Sequence, residues 1–91
     1  MQRIPLSNNY TLGIEPYEKL RLRLIVYKDG EVYVCRKESL YKLKQFLSLN
    51  EGRAFKGRLQ LLKHGDDIAV EVKGELIGNI SKAALLASLE A

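Results

Sequence analysis

The 91-residue sequence contains a single cysteine, Cys35. One cysteine cannot form an internal disulfide, and one thiol supplies too few ligands for a zinc site. We interpret Cys35 as a small strand residue and not as a nucleophile.

Long apolar runs are also missing. The longest, residues 24–27 and 83–87, are far shorter than a membrane span. The N-terminal residues 1–5 lack the apolar stretch of a secretory signal. We therefore expect a cytoplasmic protein with no membrane partner.

Catalytic motifs are scarce as well. The sequence has no serine-centred elbow, no paired cysteines, no HExxH, and neither a GxxxxGK nor a GxGxxG motif. His64, Asp66 and Asp67 could offer an imidazole and two carboxylates to a metal or a proton transfer, with Glu71 the nearest further carboxylate. Turn geometry also selects Asp and Gly, and we interpret residues 64–67 as a turn. We therefore predict a protein that is not an enzyme and has no catalytic residues, metal or cofactor.

What is present is an ordinary globular composition with unevenly spread charge. With 46% hydrophobic and 29% charged residues, the chain is expected to form one domain, residues 1–91, with one core. Residues 1–53 hold ten Lys/Arg against six Asp/Glu, whereas residues 54–91 hold five against five. This asymmetry can attract a polyanion, although a net charge of +4 also serves solubility.

The first clear pattern predicts a β-hairpin. Apolar residues at positions 20, 22, 24 and 26 alternate with their neighbours, and the alternation resumes after Gly30. A three-residue loop, 28–30, places Val26 opposite Val32 and Leu24 opposite Val34, and puts Gly30 where positive φ is required. A two-residue loop mixes the two faces, so we predict the three-residue register.

Residues 38–49 change to a helical period, with apolar residues at 40, 43, 46 and 47 on one arc. Ser39 is predicted to cap the helix at its N-terminus. Residues 50–52 are predicted to end it, with Gly52 available for a left-handed conformation.

The second half repeats this order with one more strand. Alternation over 55–61 and 68–72 predicts a hairpin with Leu61 opposite Val70 and Leu59 opposite Val72. A tight turn at 73–74 leads into a strand over 75–80, and Ser81 is predicted to cap a helix over 82–90.

The predicted fold is therefore α+β, a mostly antiparallel sheet in the order (β)ββαβββα with two short helices. The strand in parentheses lies near residues 10–14, and the sheet could curl into a small barrel. A hairpin–helix unit over 19–50 and a hairpin–strand–helix unit over 54–91 share one core. Residues 21–24 and 58–61 echo each other, which suggests internal duplication as a hypothesis.

The predicted hairpin gives a second face that mixes cations with tyrosine, as do surfaces that hold single-stranded nucleic acid. The candidate binding residues, which include two helix lysines, are Arg21, Arg23, Tyr27, Tyr33, Lys37, Lys42 and Lys44. The same face could instead pack against a second layer, or form a contact with another copy or another protein.

The C-terminal third resembles the end of a HIRAN domain. The residues that carry the resemblance are Asp67 to Val72, Gly74, Ile77, Gly78, Ile80, Leu85 and Leu89. HIRAN domains are small β-rich modules associated with DNA-processing enzymes, and they bind DNA ends. The resemblance covers about residues 58–90 and implies a β-rich DNA-binding module, but it assigns no binding residue in this chain.

Two functions follow as hypotheses. The first is a non-catalytic binding or accessory module for nucleic acid, with single-stranded nucleic acid as its partner. The alternative is a protein–protein or self-association module that uses the same hairpin face or a sheet edge.

Overall fold

The structure, a computed structural model, describes residues 2–90. It contains eight strands and two helices within that range: β1 (Gln2–Pro5), β2 (Tyr10–Glu18), β3 (Arg21–Lys28), β4 (Glu31–Ser39), α1 (Leu40–Leu47), β5 (Glu51–Ala54), β6 (Leu59–His64), β7 (Asp67–Val72), β8 (Glu75–Ser81) and α2 (Lys82–Glu90). The α+β class and the mostly antiparallel pairing predicted from the sequence are confirmed.

The strands form two antiparallel four-stranded sheets, each in simple sequential order, β1-β2-β3-β4 and β5-β6-β7-β8. The barrel considered from the sequence is therefore not found among residues 2–90. Two strands, β1 and β5, were not predicted, because each is only four residues long and carries no clear alternation.

Both sheets contribute their apolar face to one core. Alternate residues of β2 and β3, including Leu12, Leu24 and Val26, are almost fully buried, and so are Ile68 and Val70 of β7. A single cluster of buried side chains joins the two sheets and both helices. Each sheet thus buries the apolar face of the other, which would be exposed to water if one sheet stood alone.

The helices lie at the sheet edges. α1 contacts β4, the last strand of the first sheet, and β5, the first strand of the second. α2 contacts β8 and β1 in the same way. Each helix therefore links an edge strand of one sheet to an edge strand of the other.

The predicted helix caps are confirmed. The Ser39 hydroxyl accepts a hydrogen bond from the Lys42 amide at 3.4 Å, and the Ser81 hydroxyl accepts one from the Ala84 amide at 3.0 Å. Gly52, in contrast, does not end α1 in a left-handed conformation but lies within β5. A Cβ atom at Gly52 would meet Leu49 Cδ1 at 2.8 Å, so glycine leaves room for that side chain.

The predicted register of the first hairpin is wrong, whereas that of the second is confirmed. Val26 pairs with Val34 and not with Val32, since the turn has two residues and a β-bulge follows it. Leu61 pairs with Val70 and Leu59 with Val72, as predicted. The bulge was not predictable from alternation, because alternation assumes one residue opposite one.

The two halves repeat each other in detail. Asp29 and Gly30 have φ of 53° and 84°, and Lys73 and Gly74 have φ of 54° and 81°. Two left-handed residues in succession form the type of two-residue turn that matches strand twist. In both hairpins the bulge falls at the third residue after the turn, where the pairing shifts by one.

Two backbone hydrogen bonds also recur at equivalent places in both halves. In each half, the first residue of the left-handed turn donates to the loop that precedes the second strand of that half. The first residue of the helix donates to the turn between the second and third strands of the same half. The pairs, donor first, are Asp29 to Asn9 and Lys73 to Arg58, then Leu40 to Leu20 and Lys82 to Asp66. This repetition of turn, bulge and hydrogen bonds supports the internal-duplication hypothesis. The echo between residues 21–24 and 58–61 is not its basis, however, because Arg58 is equivalent to Asn9, and β3 is equivalent to β7 and not to β6.

The two halves also contact each other outside the core, at two places. The Ser7 amide donates to the Ile77 carbonyl at 3.2 Å, and a Cβ atom at Gly78 would lie 2.9 Å from Leu6 Cβ. This close approach requires glycine in β8. On the other side, the Arg36 guanidinium donates to backbone carbonyls in the 55–59 segment.

Lys63 is the buried charged residue of the inner face, with 6% of its surface exposed. Its ammonium group donates to the carbonyls of Leu49, just after α1, and Gly65, in the β6–β7 turn. A buried charge needs such partners, because burial without them would remove its hydration with no compensation. Lys63 thereby joins the end of α1 to the second sheet.

We predict that Lys63→Met lowers the free energy of unfolding by about 1–3 kcal/mol, because the carbonyls of Leu49 and Gly65 lose a charged donor. Urea denaturation followed by circular dichroism measures the change. Lys56→Met, at an exposed position, is the matched control and should change stability by less than about 0.5 kcal/mol. Equal stabilities of the two variants would contradict the role given to Lys63.

Candidate nucleic-acid interface

The outer face of the first sheet carries a row of charged residues across three strands. Glu15 of β2 is the cross-strand partner of Arg23 of β3, and Arg23 is the partner of Lys37 of β4. Because odd-numbered residues of β3 point away from the core, this row lies on the side opposite Leu22 and Leu24. The row places two cations and one carboxylate side by side.

Tyr17 holds this row together. It is the extra residue at a register shift near the end of β2, which directs its ring toward the row. The Arg23 guanidinium lies 5.2 Å from the ring centroid, and Lys37 Nζ lies 4.2 Å from it. Lys37 Nζ also donates to the tyrosine hydroxyl at 2.8 Å, and Arg23 pairs with Glu15 at 3.2 Å. Both cations are therefore positioned by the ring as well as by the sheet.

A third cation, Arg3, lies over a second ring on the same face. The guanidinium of Arg3, in β1, lies 4.4 Å from the centroid of the Tyr27 ring. Tyr27 is only 8% exposed. Its ring is thus covered by the chain itself and is not open to an incoming base.

Arg21 completes the cations of this face. It begins β3, is exposed, and makes no ion pair among the residues that the structure describes. Its cross-strand neighbours are Ser39 and the exposed Glu18. We call the set Arg3, Tyr17, Arg21, Arg23, Tyr27 and Lys37 the basic face.

The structure brings together four of the seven predicted site residues, Arg21, Arg23, Tyr27 and Lys37, and places the other three elsewhere. Tyr33 is carried to the core side by the bulge. Lys42 lies on α1 above a groove beside β5, and Lys44 borders a hollow between α1 and α2.

Sequence reasoning missed Arg3 and Tyr17. Arg3 lies in a strand too short to show alternation, and Tyr17 lies beyond residues 10–14, from which the strand was predicted. The alternation of Tyr10, Leu12 and Ile14 is the one signal in this region, since it predicts that Glu15 faces outward.

Tyr33 belongs to a separate cluster at the tips of the two equivalent turns. The Tyr33 ring centroid lies 5.8 Å from that of Tyr10. The ammonium groups of Lys28 and Lys73 lie 5.6 and 4.4 Å from the Tyr33 centroid. The pKa of Lys28 is raised above its ordinary value, first by a hydrogen bond with Tyr10 and then by the charge interaction with Tyr10. Tyr33 and Asp29 raise the same pKa by smaller amounts.

The other chemical candidates are separated. His64 Nδ1 lies 2.9 Å from Glu51 Oε1, and both side chains are largely exposed. His64 and Asp67 pair across the two-residue turn at 65–66, as the turn interpretation requires. Within residues 2–90 no group of three or more His, Cys, Asp or Glu side chains is arranged to hold a metal ion.

Comparison with known proteins gives no relative to guide the assignment: no family model matches the chain, and no curated protein or solved structure is significantly similar to it. The HIRAN resemblance therefore stays a prediction. Neither described helix has the length and apolar content needed to cross a membrane.

We predict that Tyr10→Phe lowers the pKa of Lys28 toward its ordinary value, because the largest cause of the shift is removed. Nuclear magnetic resonance titration of the Lys28 side chain measures this pKa. The raised value means that the charged lysine favours the folded state below its unfolded pKa, and that this contribution is lost as pH rises through the folded pKa. Tyr33→Phe is the control and should give a smaller decrease; an unchanged pKa in Tyr10→Phe would contradict the assignment.

Proposed function

We propose that the chain is a non-catalytic module that binds single-stranded nucleic acid through the phosphates, using the basic face. The observation that carries the proposal is the alignment of four cations, Arg3, Arg21, Arg23 and Lys37, on one outer sheet face with tyrosine rings among them. Glu15 and Glu18 are the carboxylates next to them. Cations outnumber carboxylates on this surface, as phosphate binding requires.

The tyrosine rings of the basic face contact its cations, and we do not expect them to stack on bases. Tyr27 lies under Arg3, and Tyr17 lies against both Arg23 and Lys37. Cation–π contacts of this kind contribute about 0.5–1 kcal/mol each at exposed sites and restrict the cation side chains before a ligand arrives. The recognition we propose is therefore directed at the backbone and is independent of base sequence.

The size of the basic face favours one strand over two. The basic face runs from Arg3 of β1 to Lys37 of β4, and neighbouring strands lie about 4.8 Å apart, so its cations span about 14 Å. A patch of this width can follow one phosphate backbone. Arg21 and Lys37 are the strongest candidates for direct contacts, since Arg23 already shares its charge with Glu15.

We expect Arg21→Glu combined with Lys37→Glu to lower affinity for a fluorescein-labelled oligothymidylate at least about tenfold at low salt. Each cation that contacts a phosphate contributes about 0.7 to the slope of log K against log salt for single strands, so the slope should fall by about 1.4. Fluorescence anisotropy over a range of salt concentrations measures both quantities.

The matched control is Lys44→Glu combined with Arg58→Glu, which changes the net charge equally at two exposed positions away from the basic face. This control should change affinity less than about threefold, because distant charges are screened at moderate salt. Equal losses in the two double variants would show that only net charge matters. Binding that does not depend on salt would contradict phosphate recognition.

Light scattering on the same samples tests the alternative function. A monomer that binds the oligonucleotide supports the proposal. A stable dimer that the Arg21→Glu and Lys37→Glu changes disperse, with no oligonucleotide binding, would assign the same face to self-association.

A further inference from the structure

A groove between α1 and β5 borders the side of β4 that carries Arg36 and Glu38, opposite the side that carries Lys37. It consists of two adjoining cavities of about 430 and 460 Å³, which share Lys42, Arg53 and Phe55 as lining residues. Cavities of this size fall in the range that holds ligands. We infer that this α1–β5 groove is a docking site for an acidic peptide segment of a partner protein, one that carries an apolar side chain.

The floor of the groove is apolar. Phe46 and Leu49 line it from α1 and its end, and Ala54 and Phe55 line it from β5 and the following loop. Leu49 is 46% exposed and is the exposed large apolar side chain of this floor. An apolar side chain of a partner would remove this surface from water.

The rim of the groove is positively charged. Four cations line the two cavities, Arg36, Lys42, Arg53 and Lys56, against one carboxylate, Glu38.

Two of these cations are already paired within the chain. Arg36 pairs with Glu38 at 2.6 Å, and Arg53 lies 3.6 Å from Glu71. Lys42 and Lys56 are exposed and make no ion pair among residues 2–90. The uncompensated charge at the rim therefore favours an anionic partner.

The chemistry of the floor favours a peptide over a nucleic acid. A base would need an open aromatic face, but the Arg36 guanidinium already lies 4.8 Å from the Phe55 centroid, and Phe46 is only 4% exposed. The large exposed apolar side chain here is the aliphatic Leu49. A peptide that combines carboxylates with leucine-like side chains matches both the rim and the floor.

The test begins with selection of 12-residue peptides from a display library on the immobilised full chain. We expect the enriched peptides to combine Asp or Glu with a large apolar residue. The strongest is then synthesised with a fluorescein label, and its affinity is measured by anisotropy for wild type and variants.

Lys42→Glu combined with Lys56→Glu should weaken this peptide at least tenfold, and Leu49→Asp should weaken it by a similar factor. Lys44→Glu combined with Arg58→Glu, an equal charge change outside the groove, should leave affinity within threefold of wild type. Circular dichroism confirms that each variant is folded.

Three results would overturn the inference. They are failure to enrich acidic peptides, equal affinity of the wild type and the Lys42→Glu/Lys56→Glu variant, and displacement of the peptide by an oligothymidylate that itself loses affinity in that variant. The last result would assign the groove to nucleic acid. Since the basic face is tested with Arg21→Glu and Lys37→Glu, failure of one site does not decide the other.

Discussion

The apolar contact between the inner faces of the two sheets is the interaction on which the rest of the structure depends. Full burial of one large aliphatic side chain stabilises a fold by about 1.5–3 kcal/mol, whereas an exposed ion pair contributes about 0–1 kcal/mol. Leu12, Leu24, Leu61, Ile68 and Val70 all have at most 1% of their surface exposed. The two sheets must therefore form together, because neither can bury these residues alone.

This constraint also determines where binding residues can lie. Once even-numbered residues of β2 and β3 are committed to the core, odd-numbered residues such as Arg21 and Arg23 must face outward. The basic face is thus a consequence of the core's register. The surfaces open to partners include this outer sheet face and the grooves beside the helices.

Alternation and capping residues predicted the parts of the fold that obey a regular period. The register of the second hairpin, both serine caps and the helix over 82–90 are as predicted, but the strand predicted over 55–61 lies at 59–64. Short strands and bulges escaped prediction, because four residues are too few to define a period and a bulge breaks it. The prediction that Tyr33 belongs to the binding face is wrong for this reason, since one bulge moves its side chain to the core side.

The coupling of the two sheets can be measured directly because all five tyrosines lie in the first half of the chain, between Tyr10 and Tyr41. Tyrosine fluorescence during urea denaturation therefore reports mainly on the first half, although Tyr33, which lies against Lys73, also senses the second. Ile68→Ala removes a fully buried side chain from the second sheet, at a cost of about 2–5 kcal/mol. The shared core predicts that this variant lowers the urea midpoint seen by tyrosine fluorescence. An unchanged tyrosine midpoint, with a separate earlier transition in circular dichroism, would show that the halves fold independently.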